Sequence, residues 1–236
     1  MLWRHGETAW NAERRFQGQS DIELDEAGRQ QAQRAARLLA ALRPKMIVSS
    51  DLSRASETAA ALARLTGLTV TYDKDLRERH GGSWEGLVDA EIRSRYPREH
   101  ATWTPPDGEP ASVVADRVAT GFERAASALR ELGQPAADSG TAGSGQPAGG
   151  TGAGEPASGL SNAQLAVPAD LAVVVSHGAA IRLGLARLLG LPEDLFGVLG
   201  PLANCSWCVV GTSRGRWRVL EYNAGTLPEP VLGDDR

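Results

Sequence analysis

The sequence predicts an α/β protein, a three-layer α/β/α sandwich with a mostly parallel central sheet. Two observations lead to this fold class. Strand-like and helix-like segments alternate along the chain, and the apolar run at 171–175 (LAVVV) is typical of a strand covered on both faces. Strands that alternate with helices pair in parallel, since each helix carries the chain back across one face of the sheet. Apolar residues make up 42% of the sequence, enough for a sizeable core.

The alternation begins with a helix that is capped by Asp25 and ends before Pro44. Its apolar residues follow helical spacing, at Ala32, Ala35, Leu39 and Leu42. A short buried strand is predicted at 46–48. Ser50 or Asp51 is then predicted to cap the next helix, because short polar side chains at this position accept hydrogen bonds from the first helical amides.

The rest of the chain continues the same alternation. The predicted elements are, in order, a strand at 69–72, a short helix after Gly86, a helix at 111–132, the strand at 171–175, a helix through 181–189, and two final strands at 206–210 and 216–222. Each helix between two strands is long enough to cross one face of the sheet, which supports the layered architecture.

The segment 133–168 differs in composition from the rest of the chain. Gly, Pro, Ala, Ser and Thr dominate it, and it contains no Lys, Arg or aromatic residue. Such a segment buries too little apolar surface to offset the entropy of ordering, so it is predicted to be a disordered insertion. A linker between two domains is the alternative, but the C-terminal piece is too small. Residues 1–236 are therefore predicted to form a single domain that carries this insertion.

Charge and hydropathy exclude several classes of protein. The net charge is −4 and the pI about 5.6, whereas nucleic-acid binders are usually basic. No stretch reaches the roughly 20 apolar residues that span a bilayer, and the N-terminal residues do not resemble a signal peptide. Cys205 and Cys208 are too few for a disulfide framework. Their spacing imitates a redox CxxC motif, but no helix start accompanies it, so packing is their predicted role. We expect a cytoplasmic protein without a membrane or nucleic-acid partner.

Polar residues follow three of the predicted strands. A short first strand is also predicted at the N-terminus, before the helix capped by Asp25, and His5 comes where this strand ends. Residues 49–51 end the second strand, and His177 follows the apolar strand at 171–175. Ligands of open α/β sheets bind beyond the carboxyl ends of the strands. The two histidines and the helix N-terminus that carries Arg54 are therefore expected to converge on one face.

Four segments resemble, in order, the motifs of the histidine phosphatase superfamily, in its phosphoglycerate-mutase-like branch. They are residues 4–11 (RHGETAWN), 49–59 (SSDLSRASETA), 76–86 (LRERHGGSWEG) and 174–178 (VVSHG). One short motif alone is weak evidence, whereas four motifs in the family's order are a specific signal. The resemblance implies the phosphoglycerate mutase-like fold and a phosphomonoester hydrolase. Such an enzyme would act through a phosphohistidine intermediate on a small phosphorylated metabolite.

The resemblance and the chemistry of the side chains suggest a role for each candidate residue. His5 is the predicted nucleophile, because a neutral imidazole can accept a phosphoryl group. Arg4 and Arg54 carry planar guanidinium groups that match phosphoryl oxygens, and His177, if protonated, would donate to one of these oxygens. Glu78 is predicted to protonate the leaving oxygen and then to activate water. Family analogy alone adds two phosphate contacts, Asn11 and Gln17. Arginine and histidine supply the positive charge, so neither a metal nor a cofactor is expected.

Three functions compete. A phosphatase is favoured over a phosphoglycerate mutase, because the chain between 86 and 109 has no room for the mutases' substrate-clamping insertion. A catalytically inactive phosphate-binding module would lack a catalytic residue, and none is missing. Segments 15–19 (RFQGQ) and 204–207 (NCSW) resemble actinobacterial phosphatases of the family, which implies glucosyl-3-phosphoglycerate as the substrate. Relatives also make a homodimer the candidate assembly.

Overall fold

The computed structural model describes residues 1–133 and 170–225, whose strands form one six-stranded sheet. The strands are β1 (Leu2–Arg4), β2 (Met46–Ser49), β3 (Val70–Tyr72), β4 (Ala172–Ser176), β5 (Trp207–Ser213) and β6 (Arg216–Ala224). Their spatial order is β3-β2-β4-β1-β5-β6. The strands β1 to β4 pair in parallel, while β5 is antiparallel to β1 and β6 to β5. The prediction of a mostly parallel sheet is confirmed.

Helices cover both faces of this sheet. The helices of the described residues are α1 (Ala9–Ala12), α2 (Glu26–Ala41), α3 (Ser53–Thr66), α4 (Asp89–Arg95), α5 (Pro97–Ala101), α6 (Ala111–Gly133) and α7 (Gly178–Leu188). Of these, α2 and α3 pack on one face, and α6 and α7 on the other. On one face, Trp3 of β1 packs in a core with Leu39 of α2 and Leu62 of α3. On the other face, the adjacent Leu2 packs in a second core with Phe122 of α6. Successive strand residues point to opposite faces, so β1 contributes to both cores and the three-layer sandwich is confirmed.

The start of α3 differs from the sequence prediction. Leu52 occupies the N-cap position and makes no side-chain cap, so neither Ser50 nor Asp51 caps this helix. Asp21 takes the role from a distant loop, where its carboxylate accepts hydrogen bonds from Ser53 N at 2.7 Å and Ser53 Oγ at 2.8 Å. A sequence pattern reveals only neighbouring caps, whereas this one lies 32 residues away along the chain.

Two other local predictions agree with the structure. Asp25 caps α2, with its side chain accepting a hydrogen bond from Gly28 N at 2.7 Å. Cys205 and Cys208 are buried in the cores on opposite faces of the sheet. Packing is therefore their structural role, and burial raises the pKa of the Cys208 thiol to about 11.

The insertion predicted at 133–168 lies, apart from its first residue, outside the described residues. Its disorder and the single-domain organisation of 1–236 stay predictions. Within residues 1–133 and 170–225, no helix is both long and apolar enough to cross a bilayer.

Candidate active site

Adjacent parallel strands bring the two candidate histidines together. β1 ends at Arg4 and β4 at Ser176, and these two residues are partners in the register of the sheet. His5 and His177 directly follow them, so their rings lie 5.1 Å apart between centroids. Both side chains are buried. The carboxyl ends of the two strands thus bring the two histidines together, as the strand-end rule predicts.

The ring of His5 is held in a defined tautomer. Its Nδ1 lies 2.6 Å from the carbonyl oxygen of Gly6. Because a carbonyl oxygen only accepts, this contact assigns the proton to Nδ1 and leaves the lone pair on Nε2. The pKa of His5 lies well below 6.5, first because the ring is buried and then because Arg54 and Arg4 are positively charged neighbours. His5 is therefore neutral at pH 7, as a nucleophile requires.

Two guanidinium groups lie beside this imidazole. Arg54, in the first turn of α3, is fully buried and donates to Gly18 O at 2.7 Å and Ser20 O at 2.9 Å. Burial lowers the pKa of Arg54 to about 10, so it remains charged at neutral pH. Arg4 is also buried and donates from Nη1 to Leu202 O. These carbonyl oxygens orient both cations at the site without cancelling their charge.

Glu85 fixes the loop that orients Arg54. Its Oε1 accepts a hydrogen bond from Gln19 N at 2.9 Å, and its Oε2 accepts one from Ser20 N at 2.9 Å. Gly18 has a φ of +55°, and a Cβ at this position would lie 2.1 Å from the Glu85 carboxylate. Glycine is therefore required where the chain passes this close to Glu85.

His177 is the N-cap residue of α7 and is completely buried. Its Nε2 lies 2.8 Å from Ser50 Oγ. The pKa of His177 lies well below 6.5, mainly because the ring is buried and then because of the positive charge of Arg54. A dianion bound beside the ring would raise this pKa, since opposite charge favours the imidazolium form. The expected donation from a protonated His177 therefore depends on the ligand's own charge.

The first turn of α7 also positions Glu78. The carboxylate accepts hydrogen bonds from Ala179 N at 3.0 Å and Ala180 N at 2.9 Å, and a third from Arg79 N at 2.7 Å. The N-terminal amides of a helix are natural donors to a carboxylate. One helix end therefore holds both His177 and the candidate proton donor.

The two remaining candidates belong to the segment after β1. Asn11 lies in α1, and its Oδ1 accepts hydrogen bonds from Thr8 N at 3.2 Å and Asn204 Nδ2 at 3.1 Å. Gln17 is almost fully buried, and its Oε1 accepts a hydrogen bond from Thr8 Oγ1 at 3.0 Å. Thr8 therefore links the two amide side chains.

Six of the seven candidate residues line one cavity of about 340 Å³. They are Arg4, His5, Asn11, Gln17, Arg54 and Glu78. The seventh, His177, is buried next to His5. Guanidinium groups match the oxygens of a phosphoryl group in shape and charge, so this end of the cavity can bind a phosphate dianion.

A family comparison agrees with this geometry. Residues 1–136 and 159–225 match the model of the histidine phosphatase superfamily, branch 1. The chain belongs to the histidine phosphatase superfamily. The sequence prediction of a phosphomonoesterase of this family is thereby confirmed.

Individual relatives of this histidine phosphatase match over nearly their whole length. The glucosyl-3-phosphoglycerate phosphatase of Mycolicibacterium vanbaalenii is 36% identical, over 95% of this chain and 93% of its own. The protein of the same name from Mycobacterium tuberculosis is 38% identical, with the same coverage. The solved mycobacterial glucosyl-3-phosphoglycerate phosphatase in complex with VO3 has a TM-score of 0.75 at 33% identity, over 95% of this chain and 98% of its own. The predicted phosphoglycerate mutase-like fold is confirmed.

The cavity of this histidine phosphatase contains further residues that are not among the seven candidates from the sequence. They are Phe16, Arg79, Trp103, Arg182 and Phe196, together with smaller neighbours. Most lie in loops, where no periodicity marks a side chain as inward-facing. Arg79 directly follows Glu78 in the third motif, and that position was its one signal in the sequence.

The protonation state of His5 can be measured directly. We expect ¹⁵N NMR of the imidazole to show a neutral ring with the proton on Nδ1 at pH 7, with no titration of His5 above pH 6.5. Burial and the two arginines disfavour the cation, which places its pKa well below 6.5. The His5→Ala variant assigns the signal, and exposed His80 provides a reference ring in the same sample. A titration midpoint at or above pH 6.5 would contradict this electrostatic account.

Proposed function

We propose that this enzyme hydrolyses a phosphomonoester of a small metabolite through a phosphohistidine formed on Nε2 of His5. The observation that carries the proposal is the neutral His5 ring, whose Nδ1 is committed to Gly6 O while two buried guanidinium groups lie nearby. A lone pair on Nε2 can attack phosphorus only when the ring is uncharged. Arg4 and Arg54 would offset the negative charge that otherwise repels the nucleophile.

The reaction proceeds in two balanced steps. In the first, His5 Nε2 forms a bond to phosphorus, the ester P–O bond breaks, and Glu78 gives its proton to the leaving oxygen. In the second, water attacks phosphorus, the P–N bond breaks, and Glu78 regains a proton from the water. The step returns the lone pair to Nε2 and releases inorganic phosphate. General acid–base catalysis of this kind contributes roughly 10²–10⁴-fold to the rate.

Positive charge at the phosphoryl group comes from the chain itself in this proposal. Arg54 remains charged at neutral pH, and Arg4 lies at the same end of the cavity. His177 becomes a better donor as the bound phosphate raises its pKa. We therefore propose a metal-independent reaction that also requires no organic cofactor.

Glucosyl-3-phosphoglycerate is the substrate that we propose. Relatives named as phosphatases of this ester match nearly the whole chain at 36% and 38% identity. The cavity of about 340 Å³ has the size of a site for a small organic molecule, larger than a phosphate group alone requires. Its walls also include the apolar side chains of Phe16, Trp103 and Phe196, which can contact the ring of a sugar.

We further expect the enzyme to act in the cytoplasm, without nucleic-acid or membrane partners, and a homodimer is the candidate assembly.

A substrate panel tests this assignment. We expect kcat/KM for glucosyl-3-phosphoglycerate to exceed that for 3-phosphoglycerate, fructose 1,6-bisphosphate and p-nitrophenyl phosphate by at least tenfold, about 1.4 kcal/mol of added transition-state binding. ³¹P NMR separates phosphate release from conversion of 3-phosphoglycerate into 2-phosphoglycerate. Rates with excess chelator should equal those without it. Equal kcat/KM values for all esters would contradict the assignment of glucosyl-3-phosphoglycerate as the substrate. Isomerisation of 3-phosphoglycerate without release of phosphate would identify a mutase.

A further inference from the structure

A buried arginine that lines the cavity has no role in the mechanism above. Arg79 is 6% exposed and lines the same cavity as His5 and Arg54. Its Nε donates to Glu109 O at 2.7 Å, and its Nη1 donates to Trp103 O at 3.0 Å. The guanidinium group is therefore held in one orientation by two main-chain carbonyl groups.

The charge of Arg79 is only partly compensated by the protein. Both acceptors of its hydrogen bonds are neutral carbonyl oxygens, and Nη2 takes part in no hydrogen bond within residues 1–133 and 170–225. Burial lowers its pKa, although the charges of Glu78 and Glu109 counteract this. A buried cation that is bound only by neutral groups is stabilised further when an anion reaches it.

Arg79 belongs to a different segment of the chain from the residues proposed to bind the phosphoryl group. Arg4 and His5 lie at the carboxyl end of β1 and Arg54 lies at the start of α3, whereas Arg79 lies in the loop that follows Glu78. Glu78 is the group that would contact the leaving oxygen. Arg79 directly follows Glu78, lines the same cavity and donates to Trp103 O, and these neighbours favour a place on the leaving-group side.

We propose that Arg79 binds a carboxylate on the leaving group, so that the enzyme selects phosphomonoesters that carry a second, carboxylate anion. The inference rests on the proposed function and assigns a residue to recognition of that substrate. A carboxylate suits this place better than a second phosphate does. One terminal nitrogen remains for the ligand, and the nearby Glu78 would repel a dianion more strongly than a monoanion.

A structural role is the competing explanation. Arg79 tethers the main chain at Trp103 and Glu109. The φ of Trp103 is +49°, which is unusual for a residue with a side chain. Loss of this tether would disturb the cavity wall for every substrate alike. Loss of a carboxylate contact would impair only the substrates that carry a carboxylate.

Two esters that differ in a single group distinguish these roles. 3-Phosphoglycerate carries a carboxylate where glycerol 3-phosphate carries a hydroxymethyl group. We expect wild type to favour 3-phosphoglycerate at least tenfold in kcat/KM, and Arg79→Gln to lower this preference by roughly 10–100-fold, the value of one charge-assisted hydrogen bond. The change should appear mainly in KM. Arg79→Lys should retain part of the preference, and Arg93→Gln, at an exposed arginine of α4, serves as the matched control.

Each outcome bears on a separate claim. If wild type releases phosphate from no ester, the proposed function fails. If it releases phosphate from both esters with equal kcat/KM, the proposed function stands and the carboxylate inference is overturned. An equal loss of kcat/KM for both esters in Arg79→Gln would assign a purely structural role to Arg79, and it would also overturn the carboxylate inference. If Arg79→Gln does not fold, as judged by circular dichroism, the wild-type preference and its reduction in Arg79→Lys decide the question.

Discussion

The His5→Ala variant is expected to lose kcat by about 10⁴-fold or more, because removal of a catalytic nucleophile abolishes the covalent route. The buried ring supplies the only Nε2 lone pair that the proposal uses, and Gly6 O orients it. Wild type quenched during turnover of ³²P-labelled substrate should carry acid-labile, base-stable phosphate, and His5→Ala should carry none.

The matched control for this experiment is His80→Ala. His80 is exposed, and although it lies within the third motif it is absent from the cavity lining, so its variant should label as wild type does. Label that persists on His5→Ala would place the phosphoryl group on another residue and overturn the proposed mechanism. The neighbouring His177 would then be the first residue to test, since its ring lies 5.1 Å from that of His5.

Replacement of Arg54 by lysine is expected to lower kcat/KM by roughly 10³-fold, comparable to the loss of an arginine that stabilises phosphoryl transfer. Lysine keeps the charge but lacks the planar fork that matches phosphoryl oxygens. It also cannot reproduce the paired hydrogen bonds to Gly18 O and Ser20 O. Competitive inhibition by vanadate and by inorganic phosphate should weaken in parallel with kcat/KM.

Thermal unfolding separates catalysis from stability in this experiment. Arg54 is fully buried, so some loss in Tm is expected for Arg54→Lys. Arg64→Lys, at an exposed position of the same helix α3, is the control and should resemble wild type in Tm and kcat/KM. If Arg54→Lys stays folded and retains kcat/KM within tenfold of wild type, Arg54 does not bind the reacting phosphoryl group.

Much of the candidate site could be predicted from the sequence, because strand ends are local features. A parallel sheet places all its carboxyl ends at one edge. His5 and His177 had to meet there once β1 and β4 were neighbours, and the motifs identified the reaction class. The presence of Arg54 at the site was predicted because Arg54 lies in the first turn of a helix that begins at the same edge.

The orientation of these groups could not be predicted in the same way. The tautomer of His5 depends on a contact with Gly6 O. The orientation of the Arg54 guanidinium group depends on carbonyl oxygens of a loop that Glu85 anchors. The cap of α3 comes from Asp21 rather than from Ser50 or Asp51. Such partners lie far apart along the chain and carry no periodic signal.

By itself, the sequence determined the order of strands and helices, the family and the residues that meet at the strand ends. These follow from hydrophobic periodicity, helix caps and short motifs, which are all properties of neighbouring residues. Only the tertiary structure decided the walls of the cavity, including Arg79 and Trp103. Side-chain neighbours across loops depend on how the layers pack, and burial then decides which charges remain and which histidines are neutral.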